Sequence, residues 1–547
     1  MSDEITNRLY YGDNLDILRR YIPDESVDLV YLDPPFNSNR DYNVIFKDES
    51  GNKSDAQLVA FEDTWHWGPD AQRQYEYLTN TAQNEGRVPD SVSTIINALH
   101  HGIGANQMMA YLVEMAVRLV ELHRVLKPTG SLYLHCDPTA SHYLKVLLDA
   151  LFGPDCFRNE IIWQRTNAHN DAGRFGRVHD TLLFYAKTRD ATWNRTYQPY
   201  DDSYVDTYYR YRDPDGRQWK SGDATAPGGR GPLYEWNGHT RNWRFTQENM
   251  QRLHDEGRLY YTPKGIARVK QYLDEMPGMP IQDVWTDEST RYIVSWSSEG
   301  LGYPTQKPVG LLERIIEASS NPGDVVLDPF CGCGTALIAA QKVGRRWIGI
   351  DVTYLSIAVM KARLKDSFGL VDVPVIGQPT EVEGARGLAE GPDGRYQFQW
   401  WALGLVDAQP VGGQKKKGAD AGIDGVIGFT DAGGKRERVI VSVKSGHVNA
   451  SMIRDLKGTL EREKAAIALF VTLEEPSKPM KQEAAEAGFW HSDVWNRDYP
   501  RIQILTIREL LEDDRHPDLP AFVHQPYQRA EKMQLPHAAE QRSLFGD

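Results

Sequence analysis

The chain has 547 residues, and at about 100–200 residues per domain this length predicts roughly three domains. Hydrophobic residues make up 40% and charged residues 25%, a balance typical of globular proteins rather than disordered ones. The net charge of −14 argues against a uniformly basic surface for nucleic acid, although it leaves room for a local basic cleft. Four cysteines are too few for a disulfide scaffold and fit a reducing cytoplasm. We expect no transmembrane helix and no signal peptide.

Residues 1–154 alternate predicted strands and helices. The apolar run Val27–Leu32 predicts a buried strand that ends at a pair of prolines. Apolar residues at helical spacing from 112 to 126 predict a helix, which stops at the turn-forming residues 127–130. A strand over 131–135 and a helix over 143–152 complete this first α/β segment.

Residues 155–300 show weak periodicity and many aromatic side chains interleaved with arginines. One interpretation is an irregular, β-rich insertion with a solvated charged face. The other is a nucleic-acid surface, in which arginines contact phosphates and base edges while aromatic rings stack on bases. Composition does not decide between them, because Asp and Glu are equally frequent there.

The α/β rhythm returns over 301–373, with helices predicted over 309–319, 335–343 and 354–364 and strands over 325–327 and 347–350. Residues 374–395 are rich in Gly, Pro and Glu and predict a linker. A third α/β module is predicted over 396–513, followed by a polar, loosely held tail over 514–547.

A glycine-rich turn lies between the predicted strand over 325–327 and the helix after it. Glycines there allow a tight turn and close approach of the backbone to a ligand at the helix N-terminus. Asp351 follows at the end of the next strand, about 20 residues later, a distance that suits hydrogen bonds to ribose hydroxyls. The pattern favours a nucleoside-containing cofactor over an ordinary tight turn. Cys331 and Cys333 in this turn have no partners at zinc spacing, so we predict no metal there.

Asp33-Pro34-Pro35-Phe36 closes the first predicted strand. The prolines fix the backbone and leave carbonyl groups without competing N–H donors. The carboxylate of Asp33 can accept a hydrogen bond from an exocyclic amino group, and Phe36 can stack on a flat base. Such a set can aim a nitrogen lone pair at an electrophile, which is catalysis by orientation. A bare tetrapeptide of this kind is also compatible with a simple turn.

Taken together, the two motifs resemble the β-class DNA amino-methyltransferases that use S-adenosylmethionine. In that class the Asp-Pro-Pro-aromatic motif precedes target recognition and the cofactor loop, a circularly permuted motif order. The resemblance covers roughly residues 8–365. Further matches are Gly12-Asp13-Asn14, Asp137-Pro138, Asn159-Glu160-Ile161-Ile162-Trp163, His179-Asp180-Thr181 and Thr305-Gln306-Lys307-Pro308.

The resemblance implies a Rossmann-like α/β fold with an inserted target-recognition region over 155–300. It implies that Asp33 and the Pro34 carbonyl hold the target amino group, with Pro35 and Phe36 completing the catalytic motif. Cys333 stands where Ser is more usual. The implied cofactor-binding residues are Asp13 for the adenine ring, Asp351 for the ribose, Lys307 beside the pocket, and Asp328, Phe330, Gly332, Gly334 and Thr335 for the methionine end.

Within this family an Asp-Pro-Pro motif favours adenine N6, whereas cytosine-N4 members more often carry Ser-Pro-Pro. The resemblance therefore predicts N6 methylation of an adenine flipped out of double-stranded DNA, in a restriction–modification or phage-defence setting. The alternatives are a cytosine-N4 methyltransferase, a bifunctional restriction enzyme that also cuts DNA, and a DNA-binding protein whose two sites are both inactive.

The third module resembles the PD-(D/E)XK nuclease fold in its Mrr-like branch. Asp424 and Lys444 match that family's pattern, in which acids bind Mg²⁺ and the lysine supports the attacking water. Ser442, however, stands where the second acid or a Gln belongs, so an active nuclease and a non-cutting DNA-binding relic both stay open. Mg²⁺ is expected only for the active form, with Asp424 as its ligand. Lys415-Lys416-Lys417 nearby suits either phosphate contact or simple solvation.

Two partner predictions complete the interpretation. β-class relatives often pair through the methyltransferase fold, which predicts a homodimer. The tail sequence Gln541-Arg542-Ser543-Leu544-Phe545 resembles the short peptide by which bacterial proteins dock on the replication sliding clamp, although Arg542 replaces the usual Leu. A disordered segment of this kind would bind with modest affinity.

Overall fold

The computed structural model describes most of the chain. The described residues are 6–35, 41–47, 53–62, 65–168, 173–294, 297, 299–301, 303, 305–391, 394–411, 422–431, 435–513, 515–520 and 530–533. Contacts divide the chain into two units, one formed by 1–194 with 283–547 and the other by Arg195–Gln282. No helix within the described ranges has the length and apolar character that a membrane crossing needs.

The first part of the larger unit alternates strands and helices. Its elements are β1 (Arg8–Tyr11), α1 (Asn14–Tyr21), β2 (Val27–Leu32), β3 (Asp41–Lys47), β4 (Lys53–Glu62), α2 (Pro69–Thr79), α3 (Thr81–Asn84), α4 (Asp90–Ile103), α5 (Gln107–Val125), β5 (Leu126–Cys136), α6 (Ser141–Phe152), β6 (Phe157–Gln164) and β7 (His179–Ala186).

The smaller unit is built from short elements. They are β8 (Tyr197–Gln198), α7 (Asp202–Tyr208), β9 (Tyr211–Arg212), β10 (Gln218–Asp223), β11 (Leu233–Trp236), β12 (His239–Asn242), α8 (Gln247–Asp255), β13 (Leu259–Tyr261), β14 (Ala267–Tyr272) and β15 (Met279–Pro280). Strands β13, β14, β10 and β9 form an antiparallel sheet, beside two two-stranded pairs.

The chain then returns to the larger unit. The elements that follow are β16 (Val284–Trp285), α9 (Val309–Ser319), β17 (Val325–Asp328), α10 (Thr335–Lys342), β18 (Arg346–Asp351), α11 (Tyr354–Phe368), β19 (Val375–Ile376) and α12 (Val382–Glu390).

A nine-stranded sheet in the order β16-β6-β7-β5-β2-β17-β18-β1-β19 organises the larger unit. Its strands from β5 to β19 run parallel to their neighbours, whereas β7 is antiparallel to both β5 and β6. Helix α5 packs into this layer and is almost wholly buried, and its first turn is capped by the side chain of Asn106. The large core beneath the sheet includes residues from β2, α4, α5, β5 and α6.

The last part of the chain adds a second, five-stranded sheet in the order β20-β21-β22-β23-β26. Its last three strands are parallel, and its first three are antiparallel. The elements are α13 (Gly394–Leu405), β20 (Gln409–Pro410), β21 (Gly425–Thr430), β22 (Arg436–Lys444), α14 (Ala450–Arg462), β23 (Ile467–Thr472), α15 (Lys478–Ala485), β24 (Phe489–Ser492), β25 (Arg497–Pro500), β26 (Ile502–Thr506) and α16 (Ile507–Leu511).

Helix α13 joins the two sheets through a shared apolar cluster. Its buried Phe398 and Trp401 belong to the same cluster as Tyr354 and Leu355 of α11, and this cluster also includes β22 and β23. The rings of Tyr11 and Tyr354 stack with their centroids 3.7 Å apart. The third module therefore packs against α11 and β1 of the part of the chain that carries the large sheet.

Three sequence predictions need correction. Residues 127–130 belong to β5 rather than to a turn before it, because Leu126 already pairs with Val27 and the residues after it bulge out of the ladder until Ser131 pairs with Leu29. The predicted linker 374–395 contains β19, which pairs with β1, and helix α12. Strands β6 and β7 belong to the large sheet, so the start of the recognition region predicted over 155–300 is part of that sheet.

Candidate functional site

Four neighbouring parallel strands bring the predicted motifs to one edge of the large sheet. Asp33 follows β2, Asp328 ends β17, Asp351 ends β18, and Asp13 lies two residues after β1. Ligands of open α/β sheets bind at the carboxyl ends of the strands, which is where these four carboxyl groups meet. They line a single cavity of about 280 Å³.

Most of the predicted site residues line this cavity. Gly334 lies in the same turn without lining it, and Phe36 lies outside the described residues. The cavity-lining residues that sequence analysis predicted are Asp13, Asp33, Pro34, Pro35, Lys307, Asp328, Phe330, Gly332, Thr335 and Asp351.

The turn between β17 and α10 requires its glycines. Gly332 and Gly334 have φ angles of +52° and +77°, in the left-handed region that other residues rarely adopt. A Cβ atom on Gly334 would lie 2.8 Å from Cγ of Met360. The Gly332 N–H donates to Oδ2 of Asp351 at 2.9 Å, which ties the turn to the end of β18. Gly332 lines the cavity, and a Cβ atom on it would lie 3.4 Å from the ring of Tyr303.

Burial perturbs the two carboxyl groups at the centre of the cavity. It raises the pKa of Asp328 to about 8, with the charges of Asp33 and Asp351 adding to the effect, against the opposing Phe330 N–H and Lys307. Burial also raises the pKa of Asp351, although the N–H groups of Thr353 and Gly332 favour its charged form. A cationic ligand in this cavity would stabilise both carboxylates.

Asp13 is held by a buried arginine that sequence analysis missed. Arg118 of α5 donates to Oδ2 of Asp13 at 2.9 Å and to Oδ1 of Asn14 at 2.6 Å. Asn14 in turn donates to the Pro329 carbonyl at 2.8 Å, which links the loop after β1 to the cofactor turn. The sequence signal for Arg118 is a charged residue within the apolar stripe of a helix, where charged residues are rare unless they are paired.

Lys307 connects the predicted cofactor residues with the predicted catalytic motif. Its ammonium group forms an ion pair with Asp33, and both side chains are largely buried. Lys307 therefore contacts the predicted catalytic carboxylate, besides lining the predicted cofactor cavity. Tyr31 and Trp65 also line the cavity, and no motif had identified them.

The donor set fits S-adenosylmethionine. Buried carboxyl groups suit its cationic methionine end, and the glycine turn leaves backbone exposed at an N-terminus of a helix. A carboxylate has about four acceptor sites, so Asp351 can serve a ribose while holding Gly332 and Thr353. Asp13 and Asn14 offer polar groups for an adenine ring at the end of β1.

Among the residues that the structure describes, the second candidate site has one carboxylate, that of Asp424. Asp424 accepts from the Val443 N–H at 2.6 Å and from Ser442 Oγ at 3.3 Å, and Lys444 Nζ lies 3.6 Å from it. No group of three or more His, Cys, Asp or Glu side chains that could hold a metal ion is found among the described residues. The lysines 415–417 lie outside the described residues, as does the tail peptide 541–545.

The aromatic residues of the smaller unit serve partly as its core. Trp243 and Tyr209 are fully buried, and Trp219 is nearly so. Arg217 pairs with Asp274 and Glu275, so this arginine is neutralised within the unit. Part of the aromatic and arginine content is therefore structural, and the predicted role in target recognition stays a prediction for the rest.

Comparisons with known proteins identify the family of the chain. Residues 27–359 match the family of N6/N4 DNA methylases, and the chain therefore belongs to that family. Residues 410–512 match a family described as NACHT-associated inactive restriction endonuclease 1, which confirms the restriction-endonuclease-like prediction for the third module.

Individual relatives come from restriction–modification systems. The type II methyltransferase M.EcaI of Enterobacter cloacae is 34% identical over 249 residues, which cover 44% of this chain and 54% of the relative. The Mod subunit of the type III restriction-modification enzyme StyLTI of Salmonella typhimurium is 25% identical over 358 residues, which cover 62% of this chain and 50% of the relative. The chain spans about half the length of each of these two relatives.

A distant likeness to solved structures also exists. The Thermus thermophilus protein TTHA0409, complexed with S-adenosyl-L-methionine, has 17% sequence identity and a TM-score of 0.33, covering 69% of this chain and 100% of its own.

Proposed function

We propose that this protein transfers a methyl group from S-adenosylmethionine to the N6 amino group of an adenine in double-stranded DNA. The observation that carries the proposal is the single cavity that holds Asp33-Pro34-Pro35 together with the glycine turn and Asp351. Membership of the N6/N4 methylase family supports methylation of an amino group on a base. Asp rather than Ser at position 33 favours adenine, and cytosine N4 is the alternative.

Orientation is the main task of the catalytic residues. The Asp33 carboxylate and the Pro34 carbonyl accept the two amino hydrogens, which aims the nitrogen lone pair into the cavity. Because the target atom is hidden in the duplex, the base has to be flipped into this pocket. Phe36 keeps its predicted stacking role. Lys307 has to share Asp33 with the incoming amino group, since the two are paired in this structure.

The other predicted cofactor-binding residues lie at or after the carboxyl ends of β1, β17 and β18. S-adenosylmethionine supplies a methyl group activated by its sulfonium. Asp351 would hold the ribose, Asp13 would hold the adenine ring, and the Gly332 backbone would lie beside the ligand. Asp328, Phe330 and Thr335 would hold the methionine end, where the buried Asp328 carboxyl group could neutralise positive charge.

The test uses unmethylated bacterial DNA with isotopically labelled S-adenosylmethionine. Mass spectrometry of the hydrolysed DNA should detect N6-methyladenine. Detection of N4-methylcytosine would instead support the alternative, and absence of any labelled base would contradict the proposal. Sequencing of methylated DNA from cells that express the protein would then give the recognised site.

We propose a restriction–modification or phage-defence role, for which the relatives from restriction–modification systems are the support. We also propose that the protein acts in the cytoplasm on cellular DNA. We propose double-stranded DNA as its partner. The homodimer and the sliding-clamp contact stay predictions.

We infer that the third module does not cut DNA. Within the described part of the module, its site offers one carboxylate, Asp424, which is already engaged by Ser442, Val443 and Lys444, and a hard cation needs several oxygen ligands. Wild-type protein with DNA and Mg²⁺ should therefore leave supercoiled plasmid intact. Cleavage would revive the bifunctional alternative. A Ser442→Glu variant restores the second acid and should bind Mg²⁺ more tightly than wild type in calorimetry.

A further inference from the structure

A buried row of hydrogen bonds begins at the wall of the cavity and crosses three adjacent strands. Tyr31 of β2 lines the cavity two residues before Asp33. Its hydroxyl group lies 3.0 Å from Nδ1 of His135 on β5. Nε2 of His135 lies 3.2 Å from Oδ2 of Asp180 on β7. The exposed fractions of Tyr31, His135 and Asp180 are 2%, 0% and 3%, so the row is closed to bulk water.

The direction of these hydrogen bonds follows from the charge on Asp180. Burial raises the pKa of Asp180, but its pKa is lowered overall, and the hydrogen bond with His135 and the charges of Lys307 and Arg165 are among the interactions that favour the carboxylate. Arg165 donates to its other oxygen at 2.8 Å. A charged carboxylate only accepts, so Nε2 of His135 carries a proton. In the neutral imidazole Nδ1 then accepts from the Tyr31 hydroxyl.

The proposed reaction releases a proton that must leave the target nitrogen. The amino group begins with two hydrogens and ends with one, after the N–CH₃ bond forms and the C–S bond breaks. Asp33, the nearest predicted acceptor, is paired with Lys307. Tyr31 is the cavity-lining hydroxyl group that leads from this site to an internal base.

We propose that Tyr31, His135 and Asp180 form a relay that takes up the proton released from the target amino group. This inference rests on the proposed methyltransferase function. Of the two amino hydrogens, the one that the Pro34 carbonyl accepts before transfer leaves as a proton to Oη of Tyr31, while the Tyr31 hydroxyl proton passes to Nδ1 of His135. Tyr31 therefore ends as it began, and His135 becomes an imidazolium beside the Asp180 carboxylate. When the base leaves, the imidazolium returns its proton to Oη of Tyr31 while the Tyr31 hydroxyl proton passes to water in the opened cavity.

The surroundings of the relay favour its resting protonation states. Lys307 and Arg165 contribute to lowering the pKa of Asp180 against the effect of its burial, whereas burial, with Asp33 and Asp328 adding to it, raises the pKa of Tyr31 and keeps its hydroxyl group protonated. Trp163 packs edge-on against His135 at 5.4 Å between ring centroids, which fixes the imidazole plane. In these roles Tyr31 is a catalytic residue, whereas Asp180 is a positioning residue that acts through His135.

The test compares Tyr31→Phe with Tyr133→Phe. Both tyrosines are buried on neighbouring strands, but the Tyr133 hydroxyl bonds to Ser319 Oγ at 2.7 Å and does not line the cavity. With enzyme and labelled cofactor in excess over unmethylated DNA, Tyr31→Phe should slow single-turnover methylation by about tenfold or more. Tyr133→Phe should stay within about twofold of wild type. Cofactor affinity, measured by calorimetry, should be unchanged in both variants.

A second readout separates proton uptake from simple packing. The single-turnover rate of wild type should be slower in D₂O than in H₂O, and Tyr31→Phe should lose this difference. If Tyr31→Phe fails to fold, Asp180→Asn should show the same slow rate and lost isotope effect. A Tyr31→Phe rate within about fivefold of the Tyr133→Phe rate, or an unchanged isotope effect, would overturn the relay. Methylation by wild type in the same assay keeps the proposed function separate from this outcome.

Discussion

At the scale of single residues, Asp33 is the group whose removal should separate chemistry from cofactor binding. Asp33→Ala removes the acceptor for the amino group, so methyl transfer should be abolished while the dissociation constant of the cofactor stays nearly unchanged. Asp137→Ala is the matched control, because Asp137 also precedes a proline at the end of a sheet strand but does not line the cavity. Near-normal turnover by Asp33→Ala would remove the basis of the assignment.

Asp351 should contribute to cofactor affinity rather than to the chemical step. Asp351→Ala leaves buried polar partners unsatisfied and should weaken cofactor binding by about 1–3 kcal/mol. Calorimetry checks this value, with the exposed Asp372→Ala as a control that should bind normally. An unchanged dissociation constant in Asp351→Ala would make Asp351 a residue that only ends a strand.

Asp328 should make cofactor binding depend on pH. Its pKa of about 8 leaves the free protein protonated there at pH 7, whereas a cationic ligand favours the carboxylate. Binding should therefore release protons, and affinity should rise from pH 6 to pH 8 and level off above that. Calorimetry at pH 7 in two buffers of different ionisation enthalpy measures the released protons. Identical heats in both buffers would contradict this coupling, and Asp328→Asn should abolish the pH dependence.

At the scale of elements, helix α13 should behave as part of the core. Phe398 is 1% exposed, so Phe398→Ala should lower the free energy of unfolding by about 3–5 kcal/mol. Phe489→Ala is the matched control: Phe489 is 67% exposed on β24, and its loss should have little effect. Denaturant unfolding measures both, and equal midpoints would show that α13 is only loosely attached.

The elements also show how far local sequence pattern reaches. The strands at 27–32 and 325–328 were predictable, because short apolar runs bounded by Pro or Gly are typical of buried strands. The placement of β6 and β7 in the large sheet was not, since periodicity does not say which sheet a strand joins. Helix α12 was not predicted, because its Gly and Glu residues are also typical of a linker.

The residues of the candidate site were likewise only partly predictable from the sequence. The motifs around Asp33 and Gly332 were recognisable because each is contiguous and chemically unusual. Arg118 was not, because it reaches Asn14 from a helix 104 residues further along the chain. Local motifs can thus be read from sequence, whereas the side chains that hold them in place depend on tertiary packing.

At the scale of the whole molecule, the expected assembly is a homodimer. Light scattering at micromolar concentration should give twice the 62.1 kDa mass of the chain. β-class relatives often pair through the methyltransferase fold, and this resemblance is the basis of the prediction. A particle of 62.1 kDa would refute it.

The order of strands in the large sheet has a consequence for synthesis on the ribosome. Strand β2 lies beside β17, and the Val325 N–H donates to Asp28 across 297 residues of sequence. At a translation rate of about 5–20 residues per second, roughly 15–60 s pass between the synthesis of β2 and the synthesis of β17. During that interval the nascent chain has an open sheet edge beside its future catalytic residues. Chaperone capture or slowed translation should therefore affect the yield of this protein more than that of a protein whose central strands are close in sequence.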